Sequence, residues 1–421
     1  MKRLLCTLIS AAVSAVAWSE AREISIADFR DRMEGAWIGQ SVGVSYGWPT
    51  EFKWVGTLIP DEKMPEWREG MINETFNQDD LYVEMSFMEV LERFGIGVST
   101  RTAGIEFANS RYRLWCANLN ARNNLRNGIA APASSHPKFN PTTDDIDYQI
   151  EADFSGILAP GLPQVAVDLG ETFGRIMNYG DGLYAGQFVG ALYANAYFEH
   201  DRVKIVQESL HAIPAESCYA QMVRDMLAWY RGNPVNWRCA WSNAVDRYWQ
   251  KEGCRHVSNA QINVRVNGAV VLLGLLWGGG DMDRTMRIST AGGYDSDCNP
   301  STACGVLGTI LGAKRLAQYV KGLDRIRKWE FTNYDYGRLL DVSEKLARQF
   351  VVKYGGRVEA GGDGVERFVI PKTAIKASAF FDSSSPGPAP ENGWMSDIER
   401  AMIRYSPCKA GAQSEEIIKS E

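Results

Sequence analysis

The sequence predicts an all-α domain built from many closely packed helices, and three patterns carry that expectation. Glycine recurs at 35, 39, 43 and 47, and a period of four puts these positions on nearly one helical face. Each Gly destabilises a helix by about 1 kcal/mol relative to Ala, so a bare face implies close packing or binding. After Asp80, apolar residues at Val83, Phe87, Val90, Leu91 and Phe94 form one stripe that closes at Gly95, as an amphipathic helix would. Residues 183–198 and the run from Ala269 to Trp277 are small, aromatic or apolar at helical spacing. The second run is too short to span a bilayer, so a buried helix is expected there.

In chain order, Met1-Lys2-Arg3 precedes an apolar stretch ending in Ala15-Val16-Ala17, the pattern of a secretory signal. Residues 1–17 are expected to be removed, with Ser19-Glu20-Ala21 as a second possible cleavage site, and the mature chain is expected in the periplasm or the medium. The helical pattern runs from Ile26 to about Lys328. Within it Asn299 is the expected N-cap and Pro300 the first position of a helix reaching Ala313. Beyond Trp329 the character changes: a helix over 336–354, β-prone segments at 357–370 and 377–381, a Ser/Pro/Gly turn at 382–390, and a charged end. Residues 330–421 therefore read as a small mixed C-terminal extension of unknown role to a domain spanning 26–328.

Composition narrows the function. The 421 residues are 45% hydrophobic and 23% charged, enough for a large buried core. Removing Lys2 and Arg3 takes the formal charge from -6 to -8, and without a basic stripe nucleic-acid binding is disfavoured. No CxxC spacing suggests zinc, and His136, His200, His211 and His256 are scattered. The span holding Cys218, Cys239 and Cys254 is where a disulfide is expected. No membrane span is expected in the mature chain.

Two acid clusters remain, Asn77-Gln78-Asp79-Asp80 and Asp295-Ser296-Asp297-Cys298-Asn299, each at the start of an expected helix. A helix N-terminus offers about half a charge, too little to offset acids packed this closely. A hard divalent cation would, and an all-oxygen donor set suits magnesium or manganese.

The glycine-register helix leading to Gly47-Trp48-Pro49-Thr50-Glu51, the tandem Asp79-Asp80, and Gly-Gly-Tyr-Asp-Ser-Asp near the end of a helical core together resemble the ADP-ribosylglycohydrolase family. These are relatives of the dinitrogenase-reductase-activating glycohydrolase, and the likeness covers roughly residues 26–325. The resemblance implies an orthogonal many-helix bundle with a binuclear magnesium centre, sometimes manganese, at the bottom of a cleft. By residue, Asp79, Asp80, Asp295 and Asp297 match the metal-binding acids. Gln78 and Cys298 stand where the family has ligand threonines, and Val44 replaces a usual acid. A thiol is a poor ligand for a hard cation, which leaves Asn299 or a water for that place. Glu51 matches the acid that orients substrate or water, and Asp80 both ligates and positions or deprotonates the water. The acid-dense segment 144–154 falls where the family contacts substrate, with Tyr148, Glu151 and Asp153 as candidates.

The implied activity is metal-dependent hydrolysis of a ribosyl C1 bond to nitrogen or oxygen in a small-molecule or modified-protein glycoside, foremost an ADP-ribosyl one. The sequence leaves open hydrolysis of another glycoside, binding without hydrolysis, and structural calcium sites.

Overall fold

In the computed structural model, residues 21–249 and 260–405 are described. The expected signal segment, Cys254, His256 and Cys408 lie outside them. The chain begins with a short strand β1 (Arg22–Ser25) and a long helix α1 (Ile26–Gly47). Ser25 caps the helix, its side chain accepting from the Asp28 N–H at 3.0 Å, which satisfies one otherwise orphaned donor. Every residue from Gly35 to Gly47 is buried.

The glycine register is explained by what lies against it. A Cβ on Gly35 would overlap the Gly308 carbonyl oxygen, on Gly39 that of Cys304, on Gly43 that of Pro300, and on Gly47 that of Ser296. These partners belong to, or immediately precede, helix α7 (Cys298–Leu311), which runs antiparallel to α1 along the whole seam. Gly308 reciprocates against the Gly35 carbonyl. The two backbones touch over three turns, and this contact fixes how far the end of α1 stands from the start of α7.

Around this pair lie α2 (Asp79–Phe94), α3 (Cys116–Arg126), α4 (Asp181–Ala196), α5 (Val264–Trp277) and α6 (Met282–Ala291). The expected stripe of α2 is buried at Val83, Phe87, Val90 and Leu91, while Phe94 is left 40% exposed at the closing turn. Helix α5 is buried along its entire length and packs against both α6 and α7. Helix α7 begins at Cys298 with Asp297 in the capping position, so Asn299 and Pro300 lie inside its first turn rather than at the expected cap.

The expected extension is not set apart. Helix α8 (Tyr336–Lys353) docks on α1, where the Trp37 indole donates to the Ser343 hydroxyl at 3.2 Å and Arg30 pairs with Glu344 at 2.5 Å. Strands β2 (Arg357–Ala360) and β3 (Glu366–Ile370) complete an antiparallel sheet of order β1-β3-β2, with Arg22 opposite Ile370. The segment beyond β3 crosses the bundle. Tyr184 donates to the Ala379 carbonyl at 2.8 Å, the Ala130 N–H to Gly393 at 2.8 Å, and Arg101 to the Glu399 carboxylate at 2.6 Å. Residues 377–381, expected to be β-prone, join no strand. A boundary at 328–330 is thus absent from the packing, because the last strand pairs with the first.

Cys218 is in a disulfide, whereas Cys116, Cys239, Cys298 and Cys304 are free thiols. Among the described residues no helix is long and apolar enough to cross a membrane.

Candidate metal centre

The seam delivers the second acid cluster to the first. Asp79 and Asp80 form the first turn of α2, and Asp295 and Asp297 lead into α7. Asp79, Asp80 and Cys298 each offer an atom able to ligate a metal, and these lie within 4.8 Å of one another, as do those of Asp295, Asp297 and Cys298. Neighbouring side chains hold the 292–299 turn in place. Asn267 of α5 accepts both from the Asp295 N–H at 3.2 Å and from the Asn299 amide at 2.8 Å. The Ser296 hydroxyl shares a 2.7 Å hydrogen bond with Thr50. The Phe52 N–H donates to Tyr294, and the Tyr294 N–H to Trp54, each at 2.9 Å. Both bracket residues have left-handed backbones, φ 50° at Phe52 and 62° at Tyr294, a strained choice for aromatic residues. The bracket carries Glu51 to the same place.

The acids share one electrostatic environment. Burial, then the charge of Asp79, holds Asp80 well above the usual carboxylate range. Burial, then Asp295, does the same to Asp297. Burial pushes Asp79 upward and Asp295 to about 6. Glu51, on the rim, is pushed up to about 8 by loss of water around its carboxyl and then by Asp295 and Asp79, with Lys53 opposing. Desolvation is the leading influence on all four aspartates, and the charge of a neighbouring aspartate adds to it at Asp80, Asp295 and Asp297.

Asp80 Oδ2, Asp295 Oδ2 and Asp297 Oδ1 are buried with no hydrogen-bond partner, as is Asn299 Oδ1. Unpaired buried carboxylate oxygens are strongly unfavourable, and these are hard donors gathered in one place. The residues present therefore fit a hard divalent cation. The Cys298 thiol, held well up by burial and the surrounding aspartates, is the exception in the donor set. The Gln78 side chain donates to the Glu74 carbonyl at 3.2 Å.

Above the acids opens a cleft of about 320 Å³, with Glu51, Asp79, Asp147 and Asp295 among its lining residues. The ADP-ribosylglycohydrolase family model matches residues 25–355.

The chain belongs to the ADP-ribosylglycohydrolase family.

That places it among hydrolases of glycosidic bonds. A solved structure described as an "ADP-ribosylglycohydrolase-related protein complex" is 16% identical, covering 77% of this chain and 100% of its own, with a TM-score of 0.48. No curated protein matches.

Of the substrate-side candidates, Glu51 lines the cleft, while Tyr148, Glu151 and Asp153 lie elsewhere. Tyr148 is fully buried in the core, its ring 2.5 Å from where a Cβ on Gly174 would stand. Glu151 is buried behind the lining and takes the Asn118 amide at 2.5 Å. Asp153 is also fully buried and accepts from the Thr302 hydroxyl at 3.2 Å. The reason is helical phase. The short helix Asp147–Ile150 turns Asp147 and Ile150 into the cleft and Tyr148 inward, since residues three apart share a face. Asp147, Asn118, Trp115 and Phe52 are among the lining residues that sequence reasoning missed. Of these, Asp147 stood in the acid-dense segment, but which acid faces outward depends on tertiary packing. Asp80 is 1% exposed and lies beneath the lining.

Proposed function

We propose that the chain is an exported, metal-dependent glycohydrolase that cleaves a ribosyl C1 bond to nitrogen or oxygen, with the ADP-ribosyl linkage as the family's substrate type. The observation that carries this reading is the convergence of four aspartates, three with orphaned buried oxygens, at the base of a cleft. Asp79, Asp80, Asp295 and Asp297 would hold the metal. Two magnesium ions balance their four charges, and manganese has the same preference for oxygen. Such ions supply Lewis acidity toward the oxygens of substrate and water.

The remaining work falls to the chain's own groups. Glu51, at the rim and close enough to Asp79 and Asp295 to feel their charge, accepts the proton of the attacking water. Asp80, buried below the lining, serves the metal rather than the substrate. As water oxygen bonds to C1, the C1–N or C1–O bond breaks and its electron pair leaves with the aglycone. Export is supported by the signal-like residues 1–17 and by the disulfide at Cys218, a bond that persists in oxidising compartments.

The test is release of ADP-ribose from arginine- and serine-linked ADP-ribosyl peptides, and of ribose from nucleosides, after chelation and magnesium or manganese add-back. Wild type is compared with Asp79→Asn and Asp297→Asn. Release requiring metal and both acids supports the reading. No release from any of these substrates overturns it.

A further inference from the structure

One donor at the candidate metal centre is sulfur where the others are oxygen. Among the described residues two groups of acids and thiols bring ligand atoms within 4.8 Å of one another, and Cys298 belongs to both, once with Asp79 and Asp80 and once with Asp295 and Asp297. Cys298 is 3% exposed and is the first residue of α7. Its thiol and its N–H both lie in hydrogen-bonding position to the Asp295 carboxyl. A buried cysteine is ordinarily a small apolar filler. The acids grouped with this one carry three buried oxygens without a hydrogen-bond partner, Asp80 Oδ2, Asp295 Oδ2 and Asp297 Oδ1, so sulfur and orphaned oxygens are gathered as donors in one place.

The spacing suits one ion in each group. Ligands held about 2.0 Å (oxygen) and about 2.3 Å (sulfur) from zinc are at most about 4.3 Å apart, so neither group has to close by more than about 0.5 Å. Each group supplies two carboxylates and one sulfur. Those are three of the four ligands that zinc takes at a catalytic site, with the last place left to water or substrate. Magnesium demands near-octahedral oxygen ligation and gains little from sulfur. Charge agrees, since four carboxylates and one shared thiolate around two dications leave a single negative charge. Cys298 also lines the cleft, together with Asp79 and Asp295, so an ion held there faces whatever the cleft binds.

We propose that Cys298 ligates the metal and makes the centre select a zinc-like dication, zinc or cobalt(II), over magnesium. This rests on the reading of the acids as a metal centre and names the class of ion that centre prefers. As the sulfur–metal bond forms, the S–H bond breaks, its electron pair stays on sulfur and the proton leaves to solvent, because a coordinated thiol is held deprotonated. Neither sulfur nor metal changes oxidation state.

The experiment uses the full mature chain, freed of metal with a chelator and titrated by calorimetry with zinc, cobalt(II) and magnesium. Beside it stands Cys298→Ser, which exchanges sulfur for a hard hydroxyl of similar size. Carboxylates alone already favour zinc, so the change in the zinc-to-magnesium affinity ratio between the two proteins is what is read. Wild type should hold zinc and cobalt(II) more tightly than magnesium, and Cys298→Ser should cut the ratio at least about tenfold. Cobalt(II) bound to wild type should show the near-ultraviolet charge-transfer absorption of a cobalt–sulfur bond. That absorption should persist in Cys116→Ser, whose thiol also lines the cleft, and vanish in Cys298→Ser. Where Cys298→Ser does not fold, the spectra of wild type and Cys116→Ser decide alone. Absence of the absorption at saturating cobalt(II), its loss in Cys116→Ser, or an unchanged affinity ratio in Cys298→Ser overturns the proposal. Tight magnesium binding with no cobalt–sulfur absorption would retain the metal centre and remove Cys298 from it. Failure of every dication to bind would remove the metal centre and the proposal with it.

Discussion

Substituting Gly47 by alanine isolates the link between the helix seam and the metal centre. Gly47 has φ -83° and ψ -28°, a conformation alanine adopts without strain, so the backbone is not perturbed by conformational preference. The new methyl would overlap the Ser296 carbonyl oxygen and stand 2.7 Å from Asp297 Cα. Ordinary contact begins near 3.4 Å, so the Asp295–Asp297 turn must retreat by about 0.7 Å at Asp297 and further at Ser296. Overpacking of this kind costs about 1–3 kcal/mol, against a gain of at most about 1 kcal/mol from helix propensity. The net loss of up to about 2 kcal/mol corresponds to a fall in Tm of a few degrees in a domain of this size. The functional loss should be larger, because a misplacement of about 1 Å in a catalytic constellation can cost about a hundredfold. Titration calorimetry with magnesium should show at least a tenfold weaker affinity. Gly35→Ala, which crowds the far end of the seam at Gly308 and Gly312, should lower Tm with far less effect on metal affinity. Gly97→Ala, which meets nothing within 4 Å, should be neutral in both. Wild-type affinity in Gly47→Ala alongside weakened affinity in Gly35→Ala would refute the reasoning.

The pH dependence has a definite sign. Asp295 near 6 and Glu51 near 8 bind protons more tightly folded than unfolded, so their contribution to stability is complete below about pH 4, near the unfolded carboxylate values, and is lost as pH rises through 6 and then 8. The Tm of metal-free protein should fall over that window, and saturating magnesium should remove the fall; a Tm that rises with pH without metal would contradict the assignment. Asp80→Asn removes a buried carboxylate that its acidic neighbours repel and that carries an orphaned oxygen. It should raise the Tm of the metal-free protein while abolishing the stabilisation by magnesium, read by calorimetry with and without chelator. Cys298→Thr replaces a soft thiol within the acid cluster by a hard hydroxyl, so magnesium affinity should rise several-fold, and unchanged or weaker binding would argue that position 298 does not touch the metal.

Local patterns in the sequence were enough to find the acids, the glycine face and the amphipathic stripe of α2, because each is written within one helix. The partner of the glycine face was not legible in the same way. Gly305 and Gly308 show that 298–311 is also a small-residue helix, but nothing local states that it lies antiparallel on α1 rather than on α4. The sheet was less legible still. The Arg22–Ile370 pairing joins segments more than three hundred residues apart, so residues 330–405 read as an appendage though they lock the first strand in place. In the acid-dense segment, one helical turn decided the outcome. Asp147 and Ile150 face the cleft, while Tyr148 fills space left by Gly174 and Gly186, and short helices carry too few residues for periodicity to reveal their phase.

The bare glycine face and the crowded acids are two sides of one arrangement. A seam without side chains forgoes apolar burial along α1, yet it gains a backbone contact too stiff to relax, since carbonyl oxygens rather than side-chain ends meet each glycine. That stiffness is what holds four mutually repelling aspartates together before any cation arrives. Were the helices joined by leucines, the acid-bearing ends could spread by rotamer changes and the orphaned oxygens would find water. With backbone against backbone they cannot, so on the proposed function the binding energy of a cation would go to neutralising preassembled charge instead of ordering the site. Gly43→Leu should therefore uncouple the two properties by forcing the helices apart at Pro300 and Ser301. The aspartates should return toward ordinary carboxylate titration by NMR as they gain water. Magnesium affinity should fall at least a hundredfold. If instead the variant keeps its raised carboxylates and its affinity, the preassembly comes from the Asn267 and Thr50 hydrogen bonds to the 292–299 turn and not from the seam.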